Sequence, residues 1–221
     1  MNQVPVLQPI EGQPGLYRND QSGEIVNIRD FRESDKYDSI VVLPGVITAG
    51  TEFTFFNDVQ GKRNVDTNIK TPRKLSAGES MVLDRIGLYF RLATGDVVTV
   101  PRDVKKIVEN GFYRLAINGI LQDEGPIVKF PSGYGLYGQS TEVDSGIISV
   151  GVPATASAAR LVKKQLLNQN HELDGTITYD ARQWLVTQLA SVGLTYANPD
   201  IEQPVIATNF LHGLVRAAVS K

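Results

Sequence analysis

Residues 130–140, FPSGYGLYGQS, place Gly133, Gly135 and Gly138 in the G-x-G-x-x-G spacing of dinucleotide-binding loops. In those loops a strand precedes the glycines and a helix follows them, so that the helix N-terminus holds the pyrophosphate. The apolar run PIVKF is a candidate strand, but the following QSTEVDSG has no helical apolar periodicity. The sequence therefore favours a long glycine-rich surface loop and predicts no bound cofactor.

Few residues of this chain could support metal binding or catalysis by histidine or cysteine. The chain contains no cysteine, two histidines and no G-x-S-x-G nucleophile motif. His171 lies in NQNHELDG, where strand periodicity would place it opposite Glu172 and Asp174, so a polar turn explains it better than a metal site. His212 lies in the apolar stretch NFLHGLV, which is typical of a core or interface histidine. We therefore expect neither a metal site, which would need clustered ligands, nor a catalytic triad.

The segment GKRNVDTNIKTPRK gathers five positive charges around a single acid, Asp66. The five basic residues are Lys62, Arg63, Lys70, Arg73 and Lys74. Such a segment is either a solvated loop or a contact for the phosphates of lipid or nucleic acid. No aromatic residue is interleaved with the charges, so base stacking is not indicated. If these residues have a partner, we expect it to be an anionic surface.

The composition fits a chain with a substantial hydrophobic core. The 221 residues are 42% hydrophobic, with a formal net charge of -2 and a pI near 5.7. This balance provides no global attraction to nucleic acid, which would require a strongly basic face. The start, MNQVPVLQPIEGQPG, has no sustained apolar run, and no segment approaches the roughly 18 apolar residues of a membrane span. We therefore expect no signal peptide and a protein that is soluble when synthesised.

Short β-rich runs separated by turn residues dominate the chain from about residue 39. The runs SIVVL, TEFTFF, MVLDRIGLYFRL, FYRLAING, IVKF and IISVGV predict strands, and QPVIATNFLHGLVRAAVSK predicts a β-like end interrupted at Gly213. ARLVKKQLL is a strand or a helix, and GTITYDARQWLVTQLA is similarly ambiguous but favours a strand. In PRDVKKIVENG, Val104, Ile107 and Val108 form one apolar stripe, which predicts one clear helix ending at Gly111.

Alternation within MVLDRIGLYFRL predicts a long strand with one buried face, formed by Val82, Ile86, Leu88 and Phe90. With about eight to ten strands, one short helix and long loops, the chain is predicted to be all-β, a sandwich or jelly roll. Residues 1–35 mix Pro, Gly, Asn and Asp, which predicts an extended N-terminal arm that contacts other subunits. Residues 36–221 are predicted to form a single jelly-roll domain.

Several segments of the sequence resemble a known protein family. LPGVITAGTEFTFFNDVQGK, a polar TN segment, LSAGESMVLDRIGLYFR and a terminal FLHGLVRAAV occur in an order similar to that of the jelly-roll capsid proteins of tailless icosahedral bacteriophages, including membrane-containing ones. The resemblance spans roughly residues 38–218. It implies a capsid subunit that is made in the host cytoplasm, assembles into the virion and carries no catalytic residues. The implied partners are copies of itself, other capsid proteins, and an internal membrane or the genome through the basic segment.

Two other functions fit the same composition. A carbohydrate-binding jelly roll, as in a fibre tip or lectin, would use exposed aromatic residues such as Tyr134, Tyr137 or Trp184 to stack on sugars. A hydrolase would require two carboxylates facing each other across a cleft, which sequence spacing does not reveal. Concentration-dependent assembly distinguishes the capsid function from a lectin, which would form a small discrete oligomer.

Overall fold

The chain is mostly β-structure, which confirms the all-β class. The computed structural model describes residues 4–44, 50–92, 101–132, 158–179, 183–194 and 201–217. No helix within these ranges is long and apolar enough to cross a membrane.

Twelve strands and two α-helices make up the described secondary structure. The strands are β1 (Leu7–Pro9), β2 (Leu16–Asn19), β3 (Ile25–Asn27), β4 (Arg32–Glu33), β5 (Lys36–Val42), β6 (Thr51–Phe55), β7 (Ser80–Leu92), β8 (Gly111–Ile117), β9 (Ile120–Pro126), β10 (Ala159–Asn168), β11 (Leu173–Tyr179) and β12 (Val205–Arg216). The helices are α1 (Pro101–Asn110) and α2 (Gln183–Ser191), with short 3-10 turns at Ile28–Asp30 and Ile127–Lys129.

The first sheet has the strand order β10-β7-β12, with β4 and β5 both pairing along the other side of β12. All of these pairs are antiparallel. The second sheet has the order β6-β11-β8-β9 and is also antiparallel. Alternate residues of GFYRLAI in β8 and LDGTITY in β11 are buried, which places one apolar face of the second sheet on the core.

The core lies between the two sheets and contains side chains from both. Its largest fully buried members include Tyr113 and Tyr179 of the second sheet and Ile86 of the first. Helix α1 adds Ile107, with Val104 packed at the margin, so the predicted apolar stripe of this helix faces the core. The burial of these side chains from water is the main stabilising contribution to the fold.

β7 carries a β-bulge at Asp84. Arg85 lies opposite His212 of β12, whereas Leu83 lies opposite Gly213, so Asp84 has no counterpart. Side chains alternate along a strand, and one extra residue therefore exchanges the two faces beyond it.

The bulge corrects the prediction that Val82, Ile86, Leu88 and Phe90 share one buried face. Ile86 and Leu88 are buried between the sheets and Phe90 packs against them, as predicted. Val82 is also buried, but it lies in a separate apolar cluster on the outer face of the first sheet. Periodicity did not locate the bulge because the sequence of β7 contains no glycine or proline at Asp84 to mark it.

The segment predicted to be an extended arm contains a three-stranded antiparallel sheet, β1-β2-β3. Its Leu7, Val26 and Phe31 pack on Val82 in the outer cluster. Val6 also forms a bridge with Gln165 of β10. Residues 4–33 therefore cover part of the outer face of the first sheet, which the Pro- and Gly-rich composition did not predict.

Three further segments differ from or complete the sequence prediction. IVKF forms the 3-10 turn Ile127–Lys129 after Pro126, whereas ARLVKKQLL forms strand β10. GTITYDARQWLVTQLA, for which a strand was favoured, divides into strand β11 and helix α2, whose QWLVTQLAS is rich in helix-forming residues. The run IISVGV and the three glycines of the G-x-G-x-x-G spacing lie outside the described residues.

Candidate functional site

The basic loop, residues 57–74, lies between β6 and β7 and contains the five cations identified in the sequence. Lys62 does not project into solvent. Its Nζ lies 2.9 Å from Oδ1 of Asp38, whose side chain is 0% exposed, while the Lys62 side chain is 21% exposed. Oδ2 of Asp38 also accepts a hydrogen bond from the Phe56 N–H at 2.7 Å. Lys62 therefore neutralises a buried carboxylate and ties the loop to β5.

Arg73 is a second structural cation. Its Nε lies 3.2 Å from Glu172 Oε1, and its Nη2 lies 3.0 Å from Asp174 Oδ2. The Arg73 N–H donates to the Phe56 carbonyl at 2.7 Å, and the Arg73 carbonyl accepts from the Leu173 N–H at 2.7 Å. The end of the loop is thus fixed against β11, and the Arg73 backbone adopts a positive φ of 60° to make these contacts.

The remaining three cations, Arg63, Lys70 and Lys74, are exposed. Within the described part of the chain, none of them forms an ion pair with a carboxylate. Asp66, the single acid of the segment, pairs instead with Arg91 of β7 at 3.3 Å. The structure therefore divides the five basic residues into two that hold the loop in place and three that face solvent.

A polar cleft of about 190 Å³ opens on the outer face of the first sheet at the β7 bulge. Its lining consists of Glu33, Asp35, Val82, Asp84, Arg85, Lys164, His212, Gly213 and Leu214. The Asp84 carboxylate lies 3.3 Å from Arg85 Nε and 3.9 Å from Lys164 Nζ. Acidic and basic side chains are mixed in this lining, so the cleft does not select a ligand of one charge.

His212 is the group in this cleft with the chemistry of a general base. Its side chain is 6% exposed, and its Nδ1 lies 3.1 Å from Asp35 Oδ1. Its ring also stacks on Phe210 at a centroid distance of 5.8 Å. On its other side, a Cβ added to Gly87 would lie 2.9 Å from His212 Nε2 and 2.6 Å from Ser132 Cα. His212 is thus a packed residue of the first sheet, as the sequence predicted.

His171 lies in the turn between β10 and β11 and is buried. Its Nδ1 accepts a hydrogen bond from the Asn168 N–H at 3.0 Å, which requires an unprotonated Nδ1. Burial lowers the pKa of His171 below its usual value. The adjacent Glu172 and Asp174 form ion pairs with Arg73, and His171 lies in a turn, as predicted.

The second sheet has a larger depression, of about 460 Å³, on its outer side. Gly50, Phe112, Arg114, Glu124, Thr178 and Tyr179 line it. Phe112 is 40% exposed, and Arg114 Nε lies 3.9 Å from Glu124 Oε2. An exposed aromatic ring beside polar and charged groups has the chemistry of a sugar-binding or protein-contact surface.

Metal chemistry has no candidate among the described residues, where no group of three or more His, Cys, Asp or Glu side chains could hold an ion. The side chains of Tyr134, Tyr137 and Trp184, considered for sugar stacking, lie outside the described residues.

Comparison of the chain with protein-family models, with curated proteins and with solved structures finds no match.

The sequence identified the basic loop but missed the acids that divide it. Asp38 is the decisive residue, because its burial determines that Lys62 is structural. One signal was available: in KYDSIVV of β5, Asp38 falls on the same alternate positions as Ile40 and Val42. A carboxylate on a core-facing position requires a partner, and the nearby basic loop could have supplied it.

Proposed function

We propose that this chain is a virion structural protein, a self-assembling capsid subunit of a tailless icosahedral bacteriophage. The observation that carries the proposal is the pairing of the eight strands β5 to β12. The first pairs with the eighth, the second with the seventh, the third with the sixth and the fourth with the fifth. This nested order is that of one long antiparallel ribbon folded over on itself, and it supports a jelly-roll sandwich, a fold used by viral capsid and lectin domains.

The surface chemistry supports an assembly function over an enzymatic one. The described histidines are packed or hydrogen-bonded within the fold, and the cleft beside His212 is lined by mixed charges. A subunit that buries surface against copies of itself needs a rigid scaffold with exposed loops and strand edges. In this proposal the contact with an anionic internal membrane or genome uses Arg63, Lys70 and Lys74, because Lys62 and Arg73 already have carboxylate partners.

Purified protein tests the proposal directly. We expect light scattering and negative-stain electron microscopy to show shells, rings or other large assemblies that grow with protein concentration. A discrete monomer or small oligomer at every concentration would contradict the capsid function. Salt is a useful second variable, since contacts through the three exposed cations weaken as ionic strength rises.

A carbohydrate-binding module is the alternative, and the depression around Phe112 favours it. Phe112 provides a ring face, and Arg114, Glu124 and Thr178 provide hydrogen-bonding groups around it. A glycan array with the unmodified chain and with Phe112→Ala distinguishes the two functions. Glycan binding that is lost in Phe112→Ala, without large assemblies, would support the module, whereas assembly without glycan binding would support the capsid subunit.

A further inference from the structure

The second sheet has an unpaired edge at strand β6. This strand pairs with β11 on one side. On its other side, Glu52 and Thr54 have no backbone hydrogen-bond partner among the described residues, and both are exposed. An exposed edge of this kind can accept a strand from another chain.

Two hydrogen bonds at the start of β11 show which of its residues direct their backbone groups toward β6. On the β8 side of β11, the Asn118 N–H donates to the Glu172 carbonyl at 2.8 Å. On the other side, the Leu173 N–H donates to the Arg73 carbonyl at 2.7 Å. Because successive residues of a strand direct their N–H and C=O groups to opposite neighbours, the odd-numbered residues of β11 face β6.

The same alternation applies to β6. Ile177 of β11 lies opposite Phe53, so Phe53 bonds to β11 and its two neighbours do not. Glu52 and Thr54 therefore direct both N–H and both C=O groups away from the sheet. Phe56, next in this outward series, is already satisfied: its N–H donates to Asp38 and its C=O accepts from Arg73.

We propose that β6 of a second copy of this chain pairs antiparallel with this edge, about a two-fold axis at Phe53. In this register Glu52 of each copy lies opposite Thr54 of the other, and the outward N–H and C=O groups of both residues are satisfied reciprocally. Hydrogen-bond complementarity between Glu52 and Thr54, which both project from this edge strand, supports a second copy as the occupant. Each carboxylate meets a threonine hydroxyl that can donate to it, and the two Glu52 side chains are not placed directly opposite each other.

The contact joins two four-stranded sheets into one continuous sheet and gives the proposed capsid subunit a self-complementary interface. It rests on the proposed assembly function and deepens it by naming one interface. Phe53 itself stays packed against the core on its own side of the strand. Two-fold pairing therefore needs no rearrangement of the core.

Thr54→Pro tests the interface without removing a bond of the native sheet. The Thr54 N–H points away from β11, and proline is tolerated on an edge strand whose N–H faces outward. We expect a folded protein, by circular dichroism and thermal melting, whose dimerisation in sedimentation velocity is at least about tenfold weaker. Thr54→Val keeps the N–H and removes only the hydroxyl, so it should dimerise more weakly than the unmodified chain but more tightly than Thr54→Pro.

Hydrogen exchange supplies a measurement that does not depend on a variant. In the unmodified chain, the Glu52 and Thr54 amides should exchange rapidly when dilute and become protected at high concentration. Equal exchange under both conditions would overturn the proposal, as would a folded Thr54→Pro protein that associates like the unmodified chain. If Thr54→Pro still builds large assemblies, the β6 interface is wrong but the capsid function stands. If the unmodified chain never associates, both fail.

Discussion

The outer faces of the two sheets are built differently. On the first sheet, β1, β2 and β3 cover an apolar cluster that contains Val82, Leu166 and Leu214. On the second sheet, the outward positions of β8 and β11 include the exposed Arg114 and the half-buried Thr178, which line a surface depression. A sheet in this protein is therefore apolar on both faces only where another part of the chain covers it.

This difference is visible in the strand sequences. Near its start, β7 has the buried apolar residues Met81, Val82 and Leu83 in succession, as expected for a strand buried on both faces. β8 and β11 alternate, as expected for strands with one solvated face. Consecutive apolar residues in an antiparallel strand thus indicate that another segment packs on the outer face of its sheet. This holds even where that segment has no apolar periodicity of its own.

A carboxylate placed on each outer face in turn tests this difference most directly. Val82→Asp should lower the free energy of unfolding by on the order of 4 kcal/mol, because it buries a carboxylate beneath β1–β3. Thr178→Asp, on the open face beside Glu52, should lower it by less than about 1 kcal/mol. Urea unfolding measures both changes. Equal losses would show that the first sheet is not covered in solution.

The basic loop provides the same contrast between buried and open positions. Lys62→Ser leaves the Asp38 carboxylate buried without its cation and should destabilise the fold by about 3 kcal/mol. Lys70→Ser removes an exposed charge and should change stability by less than about 0.5 kcal/mol. Thermal melting of the two single variants measures the difference. If Lys62→Ser has the same melting temperature as the unmodified chain, the Lys62–Asp38 ion pair contributes nothing to stability. The basic loop would then be a solvated surface throughout.

Gly87 tests how closely the first sheet is covered near its centre. A Cβ at this position would lie 2.6 Å from the Cα of Ser132, a backbone atom that cannot move aside easily. Gly87→Ala should therefore lower the free energy of unfolding by about 1–3 kcal/mol. Thr176→Ala on the open face, the matched control, should change it by less than about 1 kcal/mol. A neutral Gly87→Ala would mean that Ser132 does not pack against β7.

The smallest expected effect belongs to neither face, since His171 lies in the turn that links β10 of the first sheet to β11 of the second. Burial lowers the pKa of His171 in the folded state, so the unfolded chain binds the proton more readily. The contribution of the neutral His171 imidazole to folding stability is complete above the unfolded pKa of about 6.5. It is lost as the pH falls through the lower folded pKa. His171→Gln should reduce the loss of melting temperature between about pH 8 and about pH 5. An unchanged pH profile would assign that loss to other groups.

Sequence reasoning was accurate where a pattern is local. Alternation located β7, the strand preference of residues 176–179 located β11, and the stripe formed by Val104 and Ile107 located α1. It failed where structure depends on contacts between distant segments. The bulge at Asp84 is defined by pairing with β12, and β1, β2 and β3, which pair with one another, pack on Val82 of the distant β7. Neither feature has a distinctive residue pattern.

The basic loop shows the same difference between what a local pattern reveals and what depends on distant segments. Counting charges was sufficient to find the basic loop, because the five cations are close in sequence. Their separate environments depend on Asp38, Glu172 and Asp174, which lie in β5 and at the start of β11. A count of charges within one segment cannot show which of them a distant strand will neutralise.

The nested strand order also has a consequence for synthesis of the protein. β12 lies between β7 and β5, so that Val42 pairs with Val205 and Leu92 with the same residue. During translation at about 5–20 residues per second, β5 and β7 leave the ribosome well before the strand that separates them. Until then the uncharged run SIVVL has no partner in its sheet. We therefore expect this sheet to form slowly, after β12 has been made, and to depend on chaperones that shield β5 in the interval.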